Sequence, residues 1–269
     1  MKLKKLLLLI PILLICLGLT ACGDNKKNTL TVGASPMPHS EILQHIKPEL
    51  KKEGINLKIV TFQDYMLPNK SLKNGDIDAN YFQHDPFLQE WNQKNHSNLI
   101  NDGAIHLEPL AIYSKKYASL EKLPNHATIL VSNSVSDYGR VLQILKSHHL
   151  ITLNKGVDIK KATFKDVKTN KKHLKFKTGY EPKLMPQLFN NKQGDAVVIN
   201  SNYAVQAHLN PARDAIAEEG SNSPYSNIIA IRPSEKNNWK IKKLIKVLKS
   251  KKTQEWIKNR YKGSVLPAN

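Results

Sequence analysis

The feature that most constrains the fold is an alternation of short apolar runs with amphipathic stretches over residues 30–80. Leu30-Thr31-Val32 reads as a strand stopped by Gly33. Residues 36–52 place Ile42, Leu43, Ile46 and Leu50 on one side of a helix, with Gly54 just past its end. Residues 55–62 alternate apolar and polar as a second strand, Asp64 caps a short helix reaching Leu72, and residues 77–80 form a third strand. Strands separated by helices pair in parallel, because right-handed crossovers need those helices. Residues 99–107 and 109–113 then read as strands, with a turn at Lys115-Lys116.

A second α/β unit opens at residues 128–131, followed by a helix that Ser136 caps and that runs to about Lys146. Residues 155–178 give short, weak strands, 183–191 a helix, 196–200 a short buried strand and 202–209 another helix. A strand at 227–231 returns the chain to the first unit, and 238–261 reads as one long amphipathic helix. The expected architecture is α/β and two-lobed, like that of periplasmic-type binding proteins, with a hinge and a ligand cleft between lobes. Lobe 1 takes residues 29–111 and 228–269, and lobe 2 takes 112–227.

Residues 1–21 read as an export signal: Lys2, Lys4 and Lys5 supply the charge, 6–19 the apolar core, and Leu19-Thr20-Ala21-Cys22 the processing site. The run is short for a membrane span and is interrupted by Pro11 and Gly18. Small residues ahead of a cysteine look like a bacterial lipoprotein cleavage box, which makes Cys22 the lipidated first residue and 22–28 a polar tether. The alternative is an ordinary secretory signal followed by an incidental cysteine. Cys16 lies within the signal, so the processed chain keeps one cysteine and has no internal disulfide or cysteine cluster. The expected location is the extracytoplasmic face of the cell membrane.

The formal charge is +19, and removing the three signal lysines leaves +16. The lysines are scattered and mostly sit at helical spacing opposite apolar residues, as in IKKLIKVLKSKKTQEWIKNRY, which describes a solvated face. An exported protein meets no chromosome, so the charge points to an anionic membrane or wall rather than to nucleic acid. There is no G-x-S-x-G, no H-E-x-x-H and no glycine-rich phosphate loop. His148-His149 stands at a helix end with no neighbouring carboxylate in sequence to complete a metal site. Enzymatic activity, cofactor and metal are therefore not expected.

The stretch GDIDANYFQHDPFLQEW, residues 75–91, sets Tyr81, Phe82 and His84 side by side ahead of a helix opened by Asp85-Pro86. Ligands of open α/β sheets bind at such strand ends, although clustered aromatics are ordinarily core. Six blocks carry a wider resemblance: TVGASPMPHSEIL, FQDYMLPNKSLKNGDIDANYFQHDPFL, EPLAIYSKK, SDYGRVLQIL, VVINSNYAVQAHL and SPYSNIIAIR. In that order they resemble the NlpA lipoprotein family, the methionine-binding lipoproteins that feed methionine importers. The resemblance implies a substrate-binding lipoprotein of an ABC importer. Its ligand would be L- or D-methionine or a methionine-containing dipeptide, delivered to a permease and its ATPase. A surface adhesin or membrane-contacting lipoprotein that uses the basic surface is the alternative. Val135 and Tyr138 depart from the family's proline and glutamate, and Gln187 replaces an arginine after Met185-Pro186.

An amino-acid ligand needs a cation for its carboxylate, acceptors for its ammonium and a pocket for its side chain. Arg140, in the opening turn behind Ser136, is the candidate cation, helped by the free N–H groups of that turn, and Ser136 is itself a candidate ligand-binding residue. Family position makes Asn200, Asn202 and Asn227 candidate ligand hydrogen-bonders, although asparagines at strand ends are ordinarily turn formers. Tyr65, Tyr81, Phe82 and His84 are the candidate side-chain pocket. Asp137 and Asp85 are candidate ammonium partners, each equally suited to a helix first turn.

Overall fold

In the computed structural model, residues 27–220 and 223–268 are described. The signal 1–21, Cys22 and most of the tether 22–28 lie outside the described residues. Lobe 1 begins with β1 (Thr29–Ala34), α1 (Glu41–Lys52), β2 (Asn56–Thr61), α2 (Leu67–Asn74), β3 (Ala79–His84), α3 (Asp85–Asn95) and β4 (Ile100–Leu107). Lobe 2 holds β5 (Ala111–Tyr113), β6 (Thr128–Ser132), α4 (Tyr138–Ser147), β7 (Ile151–Leu153), β8 (Val167–Asn170) and β9 (Lys175–Tyr180). It continues through α5 (Met185–Asn190), β10 (Ala196–Ile199), α6 (Ser201–Gln206), α7 (Pro211–Asp214) and β11 (Ala217–Glu218). The chain returns to lobe 1 with β12 (Ser226–Ile231), α8 (Trp239–Leu248), α9 (Lys251–Tyr261) and β13 (Leu266–Pro267).

The first sheet has the order β13-β4-β12-β3-β1-β2, and β1 pairs in parallel with both β2 and β3. The second has the order β11-β5-β10-β6-β9, with β6 parallel to its two neighbours. Two segments cross between the sheets, residues 108–110 outward and residues between β11 and β12 on return. Ala111 therefore pairs in the second sheet and Asn227 in the first, each on the other side of the boundary read from the sequence.

Each lobe has its own core. In lobe 1, Ile42, Leu43, Ile46 and Leu50 of α1 pack with Leu30 and Val32 of β1, joined by Ile241, Leu244 and Leu248 of α8. In lobe 2, Val141, Leu142 and Leu145 of α4 cover Ile129 and Val131 of β6. These are the apolar stripes of amphipathic helices laid on largely buried strands.

Four local expectations are corrected. The helix expected over 36–52 becomes regular only at Glu41. Pro36–Ser40 is a wider turn in which Met37 is extended, φ −130 and ψ 141, as the residue before a proline prefers. The helix expected over 238–261 is two helices, α8 and α9. Ser250 is extended between them, and its Oγ accepts from Thr253 N–H at 3.3 Å, an N-cap that starts α9 afresh. The third strand starts at Ala79 and runs on to His84. Ser136 does not cap α4: it lies inside a 3₁₀ turn, Val135–Asp137, and α4 follows directly at Tyr138.

Gly139 fixes how lobe 2 closes over α4. A Cβ there would lie 1.8 Å from the Ile159 carbonyl oxygen, so only glycine lets that loop pack down. Gly139→Ala is expected to destabilise the protein by about 3 kcal/mol, the upper end of ordinary overpacking. A thermal melt checks this, and an unchanged melting temperature would mean that the Ile159 loop moves aside freely.

Candidate ligand-binding cleft

Between the sheets lies a space of about 380 Å³, the solvent at its mouth included. Tyr65, Phe82, Gln83, His84 and Phe87 of lobe 1 line one side, with Asn227 of β12. Asp137, Arg140, Asn200, Ser201 and Asn202 of lobe 2 line the other, and Glu108 on the crossing segment closes the back. Four contacts bridge the lobes. Tyr65 Oη donates to Asn202 Oδ1 at 2.6 Å, and His84 Nε2 donates to Asp137 Oδ1 at 3.0 Å. Ser136 N–H donates to Glu90 Oε2 at 3.0 Å, and Tyr203 Oη to Gln63 O at 3.2 Å.

Arg140, only 3% exposed, is held on several sides. Its Nε lies 3.2 and 3.1 Å from the two oxygens of Glu219, and its Nη2 donates to Glu219 Oε2 at 2.5 Å and to Glu108 O at 2.7 Å. Nη1 donates to Asp137 Oδ1 at 3.1 Å. Burial works against its charge, but the carboxylates of Glu219 and Asp137 outweigh burial and raise its pKa. A guanidinium has five N–H donors. The bonds above use four, so one Nη1 hydrogen remains for a ligand. For Asp137 burial alone would raise the pKa. The hydrogen bond from His84, the charge of Arg140 and the Asn200 amide at 3.0 Å prevail and hold it well below the usual carboxylate range.

Glu108 is the other pole. His106 Nε2 lies 2.8 Å from its Oε1, and His39 Nε2 lies 3.1 Å from the same oxygen and 3.0 Å from Asn227 Oδ1. Tyr81 Oη hydrogen-bonds His106 Nδ1, and Ser35 Oγ lies 2.6 Å from His39 Nδ1. Every group is satisfied when both imidazoles carry their proton on Nε2 and donate toward the carboxylate. Burial lowers the His39 pKa to about 4 and that of His106 to about 3, so both rings are neutral at neutral pH. Burial raises the Glu108 pKa, against the pull of His39, Arg140 and the Asn202 backbone N–H. The donor atoms of His39, His106 and Glu108 lie within 4.8 Å of one another, the one such metal-sized set among the described residues. Here the imidazole protons point at the carboxylate, which makes the set a cradle for a buried anion. One guanidinium thus stands among three carboxylates, those of Asp137, Glu219 and Glu108, an imbalance that favours a ligand bearing a cationic group.

The structure brings together Tyr65, Phe82, His84, Asp137, Arg140, Asn200, Asn202 and Asn227. Three expected residues stand apart. Tyr81 is fully buried in the lobe 1 core, its ring 4.7 Å from His39 and 5.2 Å from His106. Period-two alternation puts Tyr81 on the core face with Ala79, and the bulge at Phe82, where Gln83 pairs with Ile228 and Tyr81 with Ile229, resets the alternation only beyond it. Ser136 supplies its backbone N–H to Glu90 and its hydroxyl meets Ser134 at 3.3 Å, outside the cavity lining. Asp85 accepts from Asn101 at 3.1 Å on the exposed surface. A carboxylate does reach His148, Glu121 at 3.0 Å, as a surface ion pair. Glu108, Glu219 and Phe87 were not singled out from the sequence. Glu108 sits inside the EPLAIYSKK block, whereas nothing around Glu219 distinguishes it. Asn202 adds an unmet demand: its Nδ2 is buried without a partner among the described residues.

A family model described as NlpA lipoprotein matches residues 30–269. The chain belongs to the NlpA lipoprotein family. The methionine-binding lipoprotein MetQ of Bacillus subtilis (strain 168) is 46% identical over 273 residues, covering 99% of each chain. The solved pheromone cOB1 precursor/lipoprotein of Enterococcus faecalis V583, YaeC family, is 54% identical with a TM-score of 0.87, covering 89% of this chain and all (100%) of that one. A nutrient binding protein from Burkholderia cenocepacia, solved bound to methionine, is 37% identical with a TM-score of 0.83, covering 89% and 100%. The fold is thus the two-lobed one of binding proteins. Of the departures from the NlpA pattern, Val135 is 41% exposed and the Tyr138 ring packs 4.7 Å from that of Phe164, so neither side chain lines the cavity.

Proposed function

We propose that this NlpA lipoprotein is the substrate-binding component of an ABC importer and that its ligand is methionine, free or at the end of a short peptide. The observation that carries the reading is a cavity between the lobes with a cationic pole at Arg140, an anionic pole at Glu108 and an aromatic wall of Tyr65, Phe82 and Phe87. A ligand carboxylate takes the remaining Arg140 hydrogen and the orphaned Asn202 amide, with the Asn227 amide beside them. The ligand ammonium meets Glu108 and the side-chain oxygen of Asn200, whose Nδ2 is held by Asp137. His84 and Asp137 act behind these groups, by tying the lobes together and orienting Arg140. A thioether against aromatic rings gains roughly 0.3–1.5 kcal/mol per contact. The methionine named for the Bacillus and Burkholderia relatives supports the same ligand.

The reading extends to an anchor on Cys22, diacylated or triacylated, at the outer face of the membrane, and to a permease with its ATPase as partners. No helix of the described residues is long and apolar enough to cross a membrane. Calorimetry on protein emptied by unfolding and refolding tests the ligand. Methionine is expected to bind, and norleucine, which keeps the length and loses the sulfur, to bind about fivefold more weakly, or about 1 kcal/mol. Binding of glutamate or lysine in preference to methionine would overturn the assignment.

A further inference from the structure

We infer that the end of lobe 1 around Trp239 is a membrane-contacting face that rests on anionic lipid headgroups and turns the ligand cleft away from the bilayer. The inference rests on the lipid anchor proposed above for Cys22. Lys240 Nζ donates to the Thr29 carbonyl at 2.7 Å and approaches that of Lys27 at 3.3 Å, which fastens the start of β1 to the first turn of α8. Cys22 precedes Lys27 by five residues, and five residues reach at most about 18 Å when fully extended. A lipid on Cys22 therefore holds this end of the protein, and no other, close to the headgroups.

The side chains at this end suit that position. Trp239 opens α8 and is 51% exposed. The other exposed large apolar side chains among the described residues are Met66, Leu67, Val135 and Leu184. Those belong to the segments that rim the cleft, so they account for none of the exposure at Trp239. An indole half in water and half against protein is the group that partitions to the headgroup level of a bilayer. Lys242, Lys243 and Lys246 follow Trp239 at i+3, i+4 and i+7, which sets all three on its side of the helix. Two carboxylates oppose them. Glu53 pairs with Lys243 at 2.8 Å, and Asp102 lies in the field of Lys242 and Lys236. Against these two carboxylates the four lysines Lys236, Lys242, Lys243 and Lys246 leave an excess of two positive charges, complementary to an anionic leaflet.

Strand direction sets the orientation. β1 has six residues, at about 3.3 Å each, and ends on the side where Ser35 and His39 reach the Glu108 cradle. β3 runs parallel to it and delivers His84 into the cavity. The cleft therefore opens at the opposite end of lobe 1 from Thr29 and Trp239. A receptor seated in this way offers its open cleft to the medium, and delivery to a permease requires it to lift and turn on its tether.

The test uses the lipidated protein on vesicles of phosphatidylcholine, with or without phosphatidylglycerol, containing lipids brominated just below the headgroup. Trp91 is buried and Trp256 stacks on His45 at 4.0 Å, so Trp239→Phe supplies their background. The parent is expected to show bromine quenching on the anionic vesicles that disappears in Trp239→Phe. The double variant Lys242→Glu, Lys246→Glu should roughly halve it, and salt should weaken it. Methionine affinity of each variant is expected to match the parent, which establishes the fold. Flotation of the same samples reports the anchor separately. Protein that floats without a Trp239 contribution to quenching overturns the face alone, and protein that does not float overturns the anchor and this inference with it. Equal quenching on neutral and anionic vesicles overturns the headgroup assignment.

Discussion

Arg140→Ala is expected to lose both stability and ligand. The guanidinium is the buried countercharge of Asp137 and Glu219, at 3.1 and 2.5 Å, and its removal leaves two carboxylates in a cavity from which water is largely excluded. Deleting one partner of a buried pair typically costs about 3–5 kcal/mol. For a chain of this size that lowers the melting temperature by on the order of 10 °C. Affinity for methionine falls as well, because the ligand carboxylate then meets only the asparagine amides. Arg140→Lys should recover a part of each, since a point charge cannot span Glu219, Asp137 and the Glu108 carbonyl as the planar fork does. The double variant Arg140→Ala, Glu219→Gln separates the two roles. Removing the surplus carboxylate should restore much of the melting temperature and none of the affinity. If the double variant also regains methionine binding in calorimetry, Arg140 is a scaffold of lobe 2 and not a ligand group.

That dual role could not be read from the sequence. The stripe Ile42, Leu43, Ile46 and Leu50 and the apolar run of β10 were legible because burial imposes a period, and periodicity is what a sequence displays. The parallel start of lobe 1 followed from the same alternation. Arg140, Asn200, Asn202 and Asn227 line the cleft from strand ends and helix starts, positions that a sequence pattern can mark. Tyr81 lies in the core because it shares a strand face with Ala79, and a short strand in which every residue is buried shows no polar alternation to tell the two faces apart. The break at Ser250 did leave a trace, a serine followed three residues later by the N–H it caps, but the uninterrupted lysine–apolar pattern obscured it. Glu219 was invisible for a different reason. It lies 79 residues beyond Arg140, in a segment with no periodicity, and only the packing of the lobe brings the two charges together.

Glu108→Gln should separate binding from stability. Its carboxylate is the acceptor that His39 and His106 prepare for the ligand ammonium, and the amide keeps the shape while losing the charge. Removing one member of a buried charged pair at a binding site costs about 2–5 kcal/mol, or roughly thirty- to several-thousand-fold in affinity. Stability should move the other way or hardly at all. Burial raises the Glu108 pKa in the folded, empty protein, so the folded state binds more protons than the unfolded one between the two values. Stability then falls as pH rises from the unfolded carboxyl value through the folded one, and a residue that does not titrate removes this loss. The binding profile carries the opposite sign. An ammonium ligand needs the carboxylate, so methionine affinity should drop as pH falls through the raised Glu108 pKa, with protons released on binding in that window. His39 and His106, with values of about 4 and about 3, remain neutral above it and leave the slope to Glu108. Calorimetry in two buffers of different ionisation enthalpy measures the released protons directly. Glu108→Gln should show none and a flat profile across the same range. A variant that binds methionine within a few-fold of the parent, with the parent's pH dependence intact, would place the ammonium elsewhere in the cleft.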